Sequence, residues 1–250
     1  MQADDHPDVA STRAPSALAS PIPGVALWWS DLAHGAEEVA RIAPWLSAAE
    51  VARSARYGTA ALRTRYIAGR ATLRLLLGRT LGVDPSAVPL RRGVRGRPEL
   101  AGGNAPPDFN VSHTRGGAVF AIAHDLPREL RIGVDVERED RQLDADRLSR
   151  KFLTARERST LPGDDADARR VRFLRYWTCK EAMSKATGDG LIAPFARLDV
   201  DTGATLTLLD GPPPYRPDAW RLHAIAAPPG FLATLAIWRR DDAVTPASRP

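Results

Sequence analysis

The sequence predicts an α+β fold of two pseudo-symmetric α/β lobes, each a small antiparallel sheet packed on a long helix. Two observations carry this. Helical patterning runs over about 36–82 and again over 166–187, and each run ends at a glycine. Two stretches, FNVSHTRGGAVFAIA (109–123) and WRLHAIAAPPGFLATLAIW (220–238), both read as strand, turn and strand with apolar alternation. With 250 residues, 44% of them hydrophobic, the chain can fill one large core or two small ones.

The elements follow in order. Residues 1–23 are rich in Ala, Ser, Pro and Asp without periodicity, which predicts a disordered N-terminal tail. A first lobe over 24–130 opens with the strand VALWW. Its helical part has Ser47 as a cap and then an Arg-studded run whose polar side carries Arg63, Arg65, Arg70 and Arg74. Turn-rich RRGVRGRPEL (91–100) precedes the first strand pair. A second lobe over 131–243 opens with RIGVDVERED, continues through a helix broken near Leu153–Thr154, and reaches the helix at 166–187. Thr154 and Glu157 have the spacing of a capping box. Short strands and Pro-rich turns complete it, and 244–250 is a tail.

The net charge is +5, which suits anionic partners, although a general bias toward Arg accounts for it equally well. That bias makes lysine informative: of 35 basic residues only Lys151, Lys180 and Lys185 are lysine. A lysine kept amid arginines suggests a need for a compact, mobile point charge. Cys179 is the only cysteine, so no disulfide framework or thiolate metal site exists. The acidic N-terminus lacks the apolar core of a signal peptide, and the apolar runs are too short to span a bilayer. A cytoplasmic protein without membrane or nucleic-acid partners is the expectation.

Asp135 and Glu137 lie two apart in an otherwise apolar strand, so they project from the same face. Like charges so placed repel and are costly to bury. Phe173, Trp177, Glu181 and Lys185 run down one face of the later helix at i, i+4, i+8 and i+12. Glu181 with Lys185 is one reading, an internal ion pair. The other joins Glu181 to Asp135 and Glu137 as an all-oxygen site for a hard divalent cation, with Lys180 and Lys185 as counter-charges for substrate phosphates.

The strand IGVDVE and the helix RYWTCKEAMSKATGDGL together resemble the 4'-phosphopantetheinyl transferases, whose signature is a G-[VI]-D-x-E strand and a W-x-x-K-E-x-x-x-K helix. GRP (96–98), FNVSHT (109–114) and FLTARE (152–157) match weaker stretches of the same family, and the length resembles its two-lobed, monomeric Sfp-type class. The resemblance implies an active site at the lobe interface. It implies Mg²⁺ (alternatively Mn²⁺) on Asp135, Glu137 and Glu181, and Lys180 and Lys185 near the pyrophosphate of coenzyme A. Lys180 would also protonate the leaving group. Ser112 and His113 match a pair on the coenzyme A phosphates, Arg97 and Pro98 the loop that cradles adenine, and Arg65 an arginine on the 3'-phosphate. Arg70, Arg53 and Arg56 follow Arg65 as candidates. Glu157 matches a motif acid, with its capping role as the equal alternative. SHT stands where S-H-S is commoner, and Arg97 where Lys is frequent.

The implied reaction moves phosphopantetheine from coenzyme A to a serine of an apo acyl or peptidyl carrier protein, with Glu181 the first choice to accept the serine proton. Carriers of polyketide, nonribosomal peptide and fatty-acid synthases all remain open, and 138–160 is the expected docking region. Two rivals stand beside this. A D-x-E nuclease or phosphodiesterase would need a downstream His-x-Asp element, but His223 is the only later histidine and no acid follows it within reach. A non-catalytic coenzyme A or nucleic-acid binder would need only the Arg-rich helix.

Overall fold

The computed structural model describes residues 14–93, 96–102 and 106–240. The expected 244–250 tail and the first 13 residues of the expected 1–23 tail lie outside them. The rest of that N-terminal stretch departs from expectation, because Ser16–Leu18 is a strand, β1. It edges a sheet whose next member is β2 (Val25–Ser30), so sheet pairing supplies the order that its composition does not.

The chain gathers into two compact units. Within Trp29–Val88 lie α1 (Ala36–Ile42), α2 (Ala48–Ser54) and α3 (Ala60–Leu81). Ser47 caps α2 as expected: its Oγ accepts from the Glu50 amide, and the Glu50 carboxylate accepts from the Ser47 amide at 2.9 Å. Arg74, expected on a solvated face, is buried instead. Its Nε donates to Glu50 at 2.7 Å, and Nη1 reaches the carbonyls of Pro85, Ser86 and Val88.

The second unit comprises 17–28 and the chain from Pro89 onward. It holds β3 (Leu90–Arg92), β4 (Pro98–Leu100), β5 (Asp108–Thr114), β6 (Gly117–Ala123) and β7 (Leu130–Arg138). Then come α4 (Ala145–Phe152), α5 (Ala155–Ser159), α6 (Ala166–Thr187), β8 (Asp199–Thr202), β9 (Leu206–Asp210), β10 (Trp220–Ile225) and β11 (Phe231–Arg239). One sheet has the order β1-β2-β6-β5 and another β10-β11-β7, with β3-β4 and β8-β9 as small ribbons. The fold is therefore α+β with small antiparallel sheets, and the pseudo-symmetry is visible in its order. In each half a strand (β2 or β7) precedes a 22-residue helix (α3 or α6) and then a hairpin whose second strand pairs back with the first.

The expected division near residue 130 is not where the contacts fall, and β5 supplies the reason. Its alternate residues Asp108, Asn110, Ser112 and Thr114 share one face. The Ile132 amide donates to Asp108 at 2.8 Å and the Val134 amide to Asn110 at 3.0 Å. Side chains of β5 thus satisfy the edge of β7 that no strand among the described residues pairs, and the two sheets belong to one unit.

On its opposite edge β7 pairs antiparallel with β11, Asp135 facing Thr234, and α6 packs across both strands. The helix starts where Asp165 accepts from the amides of Asp167 and Ala168, and it stops at Gly188, whose φ of 81° suits a residue without Cβ. Gly133 explains the glycine of the IGVDVE motif. A Cβ there would stand 2.0 Å from the Ala182 carbonyl oxygen and 2.6 Å from the Ala186 amide nitrogen, so only glycine lets α6 lie this close.

Beneath α6 a buried polar post ties the unit together. Lys180 donates to Glu157 at 2.6 Å and to the carbonyls of Phe152 and Phe195 at 2.8 Å each, and both side chains are 0% exposed. Glu157 also accepts from the Val200 amide at 2.8 Å and closes the Thr154 capping box. Burial opposes the charge of each partner, and each offsets that for the other. Cys179 beside them is wholly buried, which pushes its thiol up to about 12.

Three outcomes follow. Gly133→Ala lowers unfolding stability by about 1–3 kcal/mol or more, since α6 must shift, as urea titration will show. Lys180→Met costs about 3–5 kcal/mol because it strands a buried carboxylate, while the double change with Glu157→Leu recovers much of that loss. Cys179 stays unreactive toward a thiol reagent in the native protein near neutral pH and reacts on unfolding.

Candidate active site

The face of β7 that bears Gly133 against α6 also bears Asp135 and Glu137, one and two side-chain repeats along. Opposite them α6 presents Glu181 and Lys185, one turn apart on a shared face. The Lys185 ammonium donates to Asp135 Oδ1 at 2.6 Å and to Ser112 Oγ at 2.7 Å, while Ser112 Oγ donates to Asp135 Oδ1 at 2.8 Å. The other oxygen, Asp135 Oδ2, is buried without a hydrogen-bond partner. Thr114, next on the same face of β5, donates to Glu137 Oε2 at 3.5 Å, and Arg141 Nη1 donates to Glu137 Oε1.

The electrostatics place Glu181 in this group. Burial pushes its carboxyl up to about 7. Asp135 and Glu137 push the same way, while Lys185 and Arg141 oppose them. Glu137 is raised by burial and by Asp135, against Arg141, Lys185 and a hydrogen bond from Trp177. Three carboxylates therefore feel one another's charge, with two cations set among them.

This arrangement fits a hard divalent cation in its donors: oxygen ligands only, and one buried carboxylate oxygen that nothing among the described residues satisfies. Among the described residues, however, no group of three or more His, Cys, Asp or Glu side chains stands in metal-holding geometry. Lys185 engages Asp135 Oδ1 and Arg141 engages Glu137 Oε1, so side-chain cations occupy the carboxylates instead.

Several expected site residues are placed elsewhere. Lys180 and Glu157 belong to the buried post, where Lys180 fills its three donor positions and neither side chain reaches solvent. The capping reading of Glu157 is the one the geometry supports, and leaving-group chemistry at Lys180 has no open path. Arg97 is a brace. Nε donates to the Lys185 carbonyl at 3.0 Å, the two Nη groups grip Asp108, and Nη2 also reaches the carbonyls of Phe109 and Ile132. Its guanidinium is engaged by these partners rather than open to a ligand, and Pro98 is the half-buried first residue of β4. His113 is exposed on β5 and points away from the Ser112 face.

The arginines of α3 lie in the first unit. Arg65 is half-buried; Arg70 pairs with Glu50 at 3.3 Å and its guanidinium stands 5.9 Å from the Tyr66 ring centre. Arg53, Arg56 and Tyr57 line a cavity of about 370 Å³. Sequence reasoning missed Arg141 and Thr114. Thr114 was legible as the next same-face residue after Ser112, whereas nothing in the spacing marks Arg141, which a turn brings back over β7.

The model of the 4'-phosphopantetheinyl transferase superfamily matches residues 131–236, the span from β7 into β11. The 4'-phosphopantetheinyl transferase HetI of Nostoc sp. is 33% identical over 215 residues, 85% of this chain and 87% of that protein. A phosphopantetheinyl transferase of Thraustochytrium sp. is 31% identical over 60% of this chain and 56% of its own length. The human L-aminoadipate-semialdehyde dehydrogenase-phosphopantetheinyl transferase is 28% identical over 54% and 46%. With similarity to a whole relative and a family match that spans the carboxylate strand and the Lys185 helix, the chain belongs to the 4'-phosphopantetheinyl transferase superfamily and is an enzyme of that class.

Proposed function

We propose that this enzyme transfers the 4'-phosphopantetheine arm of coenzyme A to a serine hydroxyl of an apo acyl or peptidyl carrier protein, in a Mg²⁺-dependent reaction. The products are the holo-carrier and adenosine 3',5'-bisphosphate. The observation that carries it is the convergence of Asp135, Glu137, Glu181 and Lys185, with Asp135 Oδ2 buried and unsatisfied. Asp135, Glu137 and Glu181 would hold the ion. A bound Mg²⁺ (or Mn²⁺) would supply electrostatic stabilisation of the negative charge of the pyrophosphate.

The protein's own groups do the rest. Lys185, pinned by Ser112, presents an ammonium to the phosphates and to the oxygen that leaves with the adenosine bisphosphate. Glu181 is assigned to take the proton of the attacking serine as the new O–P bond forms. Ser112, and His113 beside it, are assigned to the coenzyme A phosphates. Pro98 and the 96–98 backbone are assigned to adenine, and Arg65 and Arg70, or Arg53 and Arg56, to the 3'-phosphate. No helix among the described residues is long and apolar enough to cross a membrane; a monomer acting in the cytoplasm is part of the proposal. Carriers of polyketide, nonribosomal peptide or fatty-acid synthases are the proposed partners.

Incubation with coenzyme A, Mg²⁺ and an apo carrier should add the mass of one phosphopantetheine arm to the carrier serine. Binding of coenzyme A without transfer would mark a binding protein instead. Glu181→Gln should lower kcat by about 10²–10⁴-fold. Added Mg²⁺ should raise the Tm of the wild-type protein but not of Asp135→Asn, and an equal rise in both would overturn the ligand assignment.

A further inference from the structure

Among the described residues, Arg141 is the cation of the site that the reaction scheme above leaves without a task. It follows a turn in which its amide donates to the Arg138 carbonyl at 3.1 Å. Arg138 holds that turn through a two-point ion pair with Asp140, at 2.6 and 2.5 Å. The turn folds the chain back so that Arg141 Nη1 meets Glu137 Oε1. The charge of Arg141 acts on Glu181 as well as on Glu137, while its side-chain contact is to Glu137.

The two cations among these acids are held very differently. Lys185 is 27% exposed and tied to two partners, Asp135 and Ser112. The Arg141 side chain is 47% exposed, and its single described side-chain partner is the Glu137 carboxylate, itself only 12% exposed. A long side chain, half in water and held at one end, can swing without disturbing any strand or helix. A divalent cation on Glu137 would compete with Arg141 for the negative charge of one carboxylate, and the two positive charges repel at that range. A displaced guanidinium is free to grip a phosphate with two parallel hydrogen bonds.

We infer that Arg141 is an exchangeable counter-ion: it covers Glu137 in the unloaded site and turns onto the coenzyme A pyrophosphate when a divalent cation takes Glu137. The inference rests on the divalent-ion reading above. It differs from a fixed supporting role, in which Arg141 would stay on Glu137 and orient it for the metal.

Arg141→Gln separates the two, because the exchange predicts opposite effects on two binding constants measured without turnover. In a thermal-shift titration of the coenzyme A-free protein, the Mg²⁺ midpoint should fall by about tenfold, since a competing positive charge is gone. In calorimetry with coenzyme A and Mg²⁺ present, substrate affinity should weaken by about five- to tenfold as a charge-assisted contact is lost, and Arg141→Lys should recover part of it. A Mg²⁺ midpoint that is unchanged or raised in Arg141→Gln overturns the exchange in favour of a fixed role. Unchanged coenzyme A affinity overturns it as well. Should the wild-type protein show no Mg²⁺ response, the divalent-ion reading itself fails and takes this inference with it; a responsive wild type with an indifferent variant sinks the inference alone.

Discussion

Everything at this site depends on the edge of β7 that no strand among the described residues pairs. A buried strand edge is costly because its amides need acceptors. Here β5 supplies them from side chains, Asp108 to the Ile132 amide and Asn110 to the Val134 amide. The same face of β5 then continues as Ser112 and Thr114, which no longer meet the β7 backbone but its two carboxylates. One alternating row thus changes from structural to functional contacts within a single strand. Fixing Asp108 fixes Ser112, and Ser112 fixes the Lys185 ammonium. Arg97 strengthens the first end of the row by gripping Asp108 while holding the last-turn carbonyl of Lys185, so strand and helix are tied to one guanidinium.

A second constraint sets the depth of the site. With Gly133 against Ala182 and Ala186, α6 lies on β7 as closely as backbones allow, and the carboxylates two and four residues further on are carried toward the helix. Crowding of three acids is the consequence, and the raised carboxyls of Glu137 and Glu181 are its electrostatic signature. Burial is the first cause in both cases. The acids are therefore strained by where they sit even before they are strained by each other, and a cation relieves both at once.

Much of this was legible in the sequence. The two-apart spacing of Asp135 and Glu137 fixed their common face, and the four-apart spacing of Glu181 and Lys185 fixed theirs; both are found. The capping boxes at Ser47 and Thr154 are local, and local signals read well. The failures have a shared cause. Lys180 and Glu181 are neighbours in sequence, but consecutive helix residues point about 100° apart, so only one of them can face β7. Grouping both lysines with the acids ignored that rotation. Arg97 and Arg74 are long side chains that reach carbonyls far off in sequence, and composition cannot tell such a brace from a solvated arginine. The break in the chain near residue 130 looked like a boundary because the strand–helix–hairpin order begins again there. The side chains that bind β5 to β7 across it leave no periodic trace.

The repeated order of elements carries one more step. Both halves run strand, 22-residue helix and returning hairpin, with the first strand paired to the last. Yet β2, VALWWS, carries no acid, whereas its counterpart β7 carries two. The cluster of acids consequently forms on one half alone, and the hairpin of the other half, through β5, is left to edge and brace it. The duplication of architecture and the asymmetry of chemistry are compatible because a strand's inward face can be apolar or charged without altering its backbone pairing. What it cannot do is carry two buried acids without partners. Ser112, Thr114, Lys185 and Arg141 are the partners this protein provides, and of these only Arg141 is held loosely enough to give way.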